Sequence, residues 1–271
     1  AVHRALGIAA AQAAGFREAF GTMVKSFHVG KAAMNGILAA LLAAEGFTAP
    51  DDPFGGRRGF ASVFGGHYDP APVAEMGRQW EIFADGFKPY ACGLVIHPSV
   101  DGVLALQRQY GFGAQEVERI ELEVHPHVLD LTGKRDPRTG LEGKFSVYYA
   151  VAAALLDGQL YEEQFSDERV QRPAAIELYR RVEATVDPSL GRGQARVRVL
   201  LRDGTRVETF VTAATGTPAN PMSDSQLEQK FMALVVPVTG EAPAHAVVQA
   251  VRDLDRVASA ADLLSNLVSR A

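Results

Sequence analysis

ARVRVLLRDGTRVETFV, residues 195–211, decides the fold class. Apolar and polar residues alternate on both sides of Asp203-Gly204, a dipeptide suited to a tight turn, so the stretch reads as a β-hairpin. Working outward, Ile120, Leu122 and Val124 alternate with Glu121 and Glu123, the period of a half-exposed strand. Helical patterns surround these strands at Ser99–Tyr110, Ser146–Leu156 and Asp167–Val182, the last with Asp167 as its N-cap. Before them, helices are expected over about residues 1–20, ending at Gly21, and from Lys31 to Glu45, closed by Gly46. That second helix is apolar nearly all round and should be buried in a bundle. Residues 50–80 are loop-rich, with a helical turn at Phe60–Phe64. After Ser223 the pattern is helical again, at Leu227–Val235, Ala244–Val257 and Ala260–Val268. The order of helices, mixed segment and helices gives an α+β protein: a partial all-helical domain (residues 1–80), an inserted smaller α+β lid (81–222) and helices returning to the first domain (223–271).

The net charge of −5 argues against a nucleic-acid partner, whose binding surfaces are usually basic, but leaves room for a positive pocket around a small anion. One cysteine, Cys92, excludes an internal disulfide and suits a reducing cytoplasm. No uninterrupted apolar run reaches the ~18 residues of a membrane span, so no membrane partner is expected, and the first residues lack the features of a signal peptide. Val2, Leu6, Ala9 and Ala13 share one helical face from the outset, so further sequence is expected ahead of Ala1.

Three constellations could carry chemistry. Lys25-Ser26-Phe27-His28-Val29-Gly30 is expected to be a loop running into the helix at Lys31. A helix N-terminus offers unpaired N–H groups to an anion, and a Lys and a His before it would deepen such a site. The plainer alternative is a solvated Lys and a backbone-bonded His. The second stretch, Phe87 to Pro98, gathers Lys88, Tyr90, Cys92 and His97 among apolar neighbours. Desolvation lowers the pKa of a lysine and lets it act as acid or base. Cys92 lacks an activating helix and is more commonly a buried, inert thiol. His97, before Pro98 at a helix start, suits a capping role as well as a functional one. The third is the cationic run Lys134, Arg135, Arg138 and Lys144, ahead of Tyr149. An exposed loop and a core aromatic are its plain reading. His125-Pro126-His127 is a pair without HExxH or a cysteine cluster, so no metal site is expected.

Taken in order, seven segments resemble the MmgE/PrpD family. They are GTMVKSFHVGKAAMNGILAALLAAEGFTAP, GRRGF, FKPYACGLVIHPSVDGVLAL, HPHVLDLTGKRDPRTGLEGKFSVYYAVAAALLDG, FSDERVQRP, LRDGTRVE and GTPANPMSDSQLEQKF. The resemblance implies an all-helical domain with an α+β lid, a cleft between them as active site, a homodimer, and no metal or organic cofactor. It implies a hydro-lyase, a carbon–oxygen lyase dehydrating a 2-methylcitrate-like small polycarboxylate, with decarboxylation or epimerisation of a related acid as the alternative.

Residue by residue, the resemblance implies catalytic roles for Lys25, Lys88 and Tyr149, with His28, Cys92, His97 and Arg135 around the substrate. A histidine that some members carry five residues after the lid-edge lysine is Gly93 here. The N-terminal helical portion that brings an Asp and two His to the family's cleft has no counterpart in this sequence. A preceding segment or partner chain is therefore expected to complete the site, the alternative being a truncated, non-catalytic member. In the implied dehydration, negative charge gathers on a substrate carboxylate. Lys25 and Lys88 would stabilise it while Tyr149 or an absent histidine protonates the leaving hydroxyl.

Overall fold

Four strands form one mixed sheet in the order β2-β1-β3-β4, where β1 is Val117–Val124, β2 Val182–Val186, β3 Ala195–Leu201 and β4 Arg206–Val211. The hairpin β3–β4 closes at Gly204, whose φ of +88° is a backbone conformation open chiefly to glycine, and Asp203 Oδ1 accepts the Thr205 N–H at 2.8 Å. β1 pairs antiparallel with β3, Ile120 opposite Val199, and parallel with β2, Ile120 opposite Val182. A parallel pair needs a long crossover, and residues 125–181 supply it.

The computed structural model describes residues 1–65, 69–78, 80–256 and 259, and the chain divides into two compact units, Ala1–Ala84 and Asp85–Ala271. The first holds helices α1 (Val2–Ala10), α2 (Met23–Ala44), α3 (Phe60–Phe64) and α4 (Ala71–Ala74). The second holds α5 (His97–Tyr110), α6 (Pro126–Thr132), α7 (Gly140–Gly143), α8 (Val147–Asp157), α9 (Asp167–Gln171), α10 (Pro173–Tyr179), α11 (Asp224–Thr239) and α12 (Glu241–Arg252), besides the sheet. The α+β class expected from the sequence is the one observed.

In the second unit, alternation along β3 buries Ala195, Val197, Val199 and Leu201 and leaves Arg196 and Arg198 outside, paired with Glu123 and Glu208. α5 crosses the apolar face so closely that a Cβ at Gly102 would stand 2.5 Å from Val197 Cγ2. α8 packs beside α5, and the Gln107 amide donates to the Leu155 carbonyl at 3.0 Å. Ile96, Val100, Val103, Leu106, Ile120, Leu122 and Leu160 form the centre of this core, each at most 1% exposed. Side chains of this size stabilise by roughly 1.5–3 kcal/mol each when fully buried.

Two expectations are corrected here. Residues 167–182 are not one helix: Pro173 has no N–H to donate and holds Arg172 extended (φ −63°, ψ 136°), so α9 ends there, α10 begins, and Val182 opens β2. The N-cap is Ser166, whose hydroxyl accepts the Arg169 N–H, while Asp167 Oδ1 accepts the Gly140 N–H at 2.7 Å instead. The C-terminal helices are α11, opened by a Ser223/Gln226 capping box, and α12, joined by an Arg252–Glu228 ion pair. The expected helix at residues 260–268 lies outside the described residues.

The first unit is also corrected. Its first helix stops at Ala10, followed by a short 3-10 turn at Arg17–Ala19. The second begins at Met23 rather than Lys31, after an extended Thr22 whose hydroxyl donates to the Ala19 carbonyl at 2.7 Å. α1 covers Ala39 and Ala43 of α2, and Asn35 is buried with its amide donating to the Gln12 carbonyl at 3.1 Å. Most of the remaining apolar surface of α2 is open rather than buried, with Ile37 65% and Leu41 61% exposed, because α1 covers a single stripe of it. By length and mean hydropathy (1.3) α2 reaches the range of a bilayer span, but Lys25, His28, Lys31 and Asn35 recur along it. Exposed apolar stripes of this kind mark surfaces made to be covered.

Candidate active site

In the first unit, Lys25 and His28 stand on α2 itself, three residues apart in its first two turns, rather than in a loop before it. Both still lie near the positive end of the helix dipole. Lys25 is exposed; His28 is half-buried, edge-on to Phe16 with ring centroids 5.6 Å apart.

In the second unit the stretch around Lys88 is held by a backbone crossing. The Phe87 N–H donates to the Gly216 carbonyl at 2.7 Å, and a Cβ on Gly86 would stand 2.3 Å from that carbonyl oxygen. Gly216 has φ +89°. These glycines let residues 85–90 lie against the loop at 213–220, and Lys88 projects from the crossing at the surface.

Beneath it the chain turns inward. Cys92 is 3% exposed, and burial pushes its thiol up to about 12 although the charges of Lys88 and Lys144 pull the other way. His97 opens α5 and is 0% exposed. Burial first, then the Lys88 charge, lowers its imidazole to about 4, and Lys230 of α11 adds to this. The Cys92 backbone faces the ring and pulls weakly upward, short of hydrogen-bond geometry, and both ring nitrogens and the nearby Ser99 hydroxyl are buried without a hydrogen-bond partner among the described residues. Buried polar atoms are seldom left so. At neutral pH this imidazole is uncharged, able to donate from one nitrogen and accept at the other.

Beside His97 stand two residues the sequence reading did not place in a site together. Tyr90 is edge-on to His97, centroids 5.2 Å apart, and its hydroxyl donates to Asp101 Oδ1 at 2.6 Å. Burial, reinforced by the Asp101 charge, holds the phenol far above its ordinary value. Asp101 itself is raised by burial, against the pull of its hydrogen bonds from Tyr90 and Thr215. The signal for Asp101 was local: it follows His97 by four residues on a helix and so shares its face. Thr215, distant in sequence, gave none.

The charge of Lys88 acts on both Cys92 and His97, and Tyr149 lies in the core. Tyr149 is 0% exposed, stacked edge-on to Phe165, with its hydroxyl donating to the Gln164 carbonyl. Burial pushes this phenol up to about 12. Arg135 is exposed, its guanidinium 4.6 Å over the Tyr148 ring. His125 caps α6, its Nδ1 accepting the His127 N–H at 3.0 Å. Among the described residues, no three metal-ligating side chains come together.

A mixed four-stranded sheet with helices packed on it, in a chain that carries a separate helical unit, defines an α+β protein. Residues 90–256 match the MmgE/PrpD C-terminal domain and residues 1–72 the MmgE/PrpD N-terminal domain, so the chain belongs to the MmgE/PrpD family. It is 30% identical to a cis-aconitate decarboxylase of Aspergillus terreus over 97% of this chain and 58% of that protein. It is 26% identical to a cis-aconitate decarboxylase-like protein of Aspergillus oryzae (96% and 58%) and 26% identical to the cis-aconitate decarboxylase of Mus musculus (78% and 46%). The chain thus spans about half the length of these curated relatives, 46–58%.

Proposed function

We propose that this chain supplies one wall of the active site of a lyase acting on a small polycarboxylic acid, and that the reaction is decarboxylation of a cis-aconitate-like acid. The observation that carries this reading is that the charge of the exposed Lys88 acts on the His97 imidazole, which burial first and then that charge hold neutral. The names of the relatives favour loss of carbon dioxide.

When a carboxylate leaves as carbon dioxide, the bonding electron pair stays on carbon and spreads into the neighbouring double bond and its carboxylate. A nearby fixed cation stabilises that charge more than it stabilises the starting acid. Lys88 takes this role, and His97, neutral and fully buried, donates a ring N–H to a substrate carboxylate only when the segment covering it moves aside. One proton must then reach carbon to complete the balance. Tyr149 can deliver it only after its hydroxyl leaves the Gln164 carbonyl, so a movement of residues 161–165 belongs to this reading. Arg135 is proposed as a further contact for a substrate carboxylate, and Cys92 as an uncharged part of the wall.

Dehydration of a 2-methylcitrate-like acid is the second reading, and Gly93 favours it. A side chain there would have to displace Thr132, since a Cβ would stand 2.9 Å from Thr132 Cγ2. The protein carrying this chain at its natural length is incubated with cis-aconitate, 2-methylcitrate and citrate. Released carbon dioxide and absorbance of conjugated acids are then followed. Carbon dioxide from cis-aconitate supports the first reading; water loss from 2-methylcitrate without carbon dioxide moves the assignment to the second. No product from any of the three rejects both.

A further inference from the structure

Asp101 uses both carboxylate oxygens, and on different parts of the chain. Oδ1 accepts the Tyr90 hydroxyl at 2.6 Å, and Oδ2 accepts the Thr215 N–H at 2.7 Å. Thr215 belongs to the 213–220 loop, in which the Asn220 amide donates to the Ala213 carbonyl at 3.2 Å and the Gly216 N–H to the Asn220 carbonyl at 2.8 Å. The same Gly216 accepts the Phe87 N–H at 2.7 Å, one residue before Lys88. Tyr90, two residues after Lys88, lies edge-on to His97. The contacts close a circuit: α5, Tyr90, the Lys88 segment, the 213–220 loop, and back to α5 through one side chain.

We infer that Asp101 is a positioning residue, holding Lys88 and the His97 ring in a fixed relation through Tyr90 and the 213–220 loop. A charge-assisted hydrogen bond is stronger than a neutral one, and a carboxylate that accepts two of them joins the segments more firmly than packing alone would. A site that must place a cation and an imidazole on one small acid needs such support, because a misplacement of about 1 Å can cost on the order of 100-fold in rate. The inference rests on the lyase reading for its kinetic arm only.

Three variants of the protein at its natural length separate the effects. In Asp101→Asn the amide oxygen can still accept from Thr215 and the amide nitrogen can donate to the Tyr90 oxygen, so the circuit survives without the charge. Asp101→Ala cuts both links; Tyr90→Phe cuts one. Amide hydrogen exchange reads the circuit without reference to catalysis. In Asp101→Ala, the Phe87 and Thr215 amides should exchange roughly 10-fold faster or more, with Val197 and Val199 in β3 unchanged. Kinetically, Asp101→Ala should lose about 10- to 100-fold in kcat with KM moving less than ~3-fold, and Asp101→Asn should recover most of it. Unchanged exchange at Phe87 in Asp101→Ala overturns the inference. So does altered exchange with wild-type kcat, which leaves Asp101 a structural anchor only. A wild-type protein inactive on every acid rejects the lyase reading, and the exchange arm alone then decides whether the circuit exists.

Discussion

The Phe87 carbonyl oxygen lies 1.8 Å from the point where a side chain at Gly216 would begin, while the Phe87 N–H donates to the Gly216 carbonyl at 2.7 Å. Two backbones meet here with no space for a Cβ, and Lys88 follows directly. Gly216→Ala should therefore destabilise the second unit by roughly 3 kcal/mol or more, since it adds a clash with backbone to an unfavourable φ. Gly111, with φ +71° and nothing within 4 Å, is the control. Its alanine variant should cost only about 1 kcal/mol. Urea unfolding of the two variants checks the contrast, and equal losses contradict it.

The buried His97 should make stability depend on pH. Its imidazole is lowered to about 4, below the ordinary 6.5. Between these values the unfolded chain binds a proton that the folded chain refuses. Stability is thus complete above about pH 6.5 and is lost as pH falls toward 4, by up to roughly 3 kcal/mol at 1.36 kcal/mol per unit. The groups facing the ring are Lys88, Lys230, the Cys92 backbone and Tyr90, whose ring is edge-on to it. His97→Gln should flatten the pH 5–7 slope in urea unfolding; an identical slope in the two proteins removes this explanation.

Cys92 should be silent toward thiol reagents in the folded protein. It is 3% exposed and pushed up to about 12 by burial, so the reactive thiolate is scarce at pH 8. Labelling with a chromogenic disulfide should be negligible over minutes in native buffer and complete in 6 M guanidinium, a denaturing concentration of about the strength needed for the most stable domains. Rapid native labelling would show that the Lys88 wall opens in solution.

Much of this fold was legible because its patterns are local. The β3–β4 hairpin carries its own turn at Asp203-Gly204, and the alternation Ile120, Leu122, Val124 marks β1 without help from distant residues. What escaped was decided at a distance or by a single residue. β2 is a short five-residue strand that exists because Val182–Val186 finds β1 beside it. The start of α2 at Met23 depends on Thr22, and the helix runs through Gly30 because a glycine inside a helix costs only about 1 kcal/mol. At the site, Lys88, Cys92 and His97 were readable as a dense run. The Asp101–Thr215 link, 114 residues apart in sequence, was not, and neither was the burial of the Tyr149 hydroxyl against Gln164.

Tyr149→Phe probes that buried hydroxyl. Removing it leaves the Gln164 carbonyl buried without its donor, which should lower stability by about 1–3 kcal/mol. The loss should appear in urea unfolding as a shifted midpoint with an unchanged slope. A fully neutral substitution contradicts a stabilising role for this hydrogen bond.

The central claim is that Lys88 stabilises charge developing on a polycarboxylate above the His97 wall. The most direct measurement is release of labelled carbon dioxide from carboxyl-labelled cis-aconitate by the protein at its natural length, wild type against Lys88→Met, with melting temperatures measured on both. The predicted result is a kcat at least ~100-fold lower in Lys88→Met, the scale of losing one preorganised charge-stabilising group, at an unchanged melting temperature. Equal turnover by the two proteins contradicts the account.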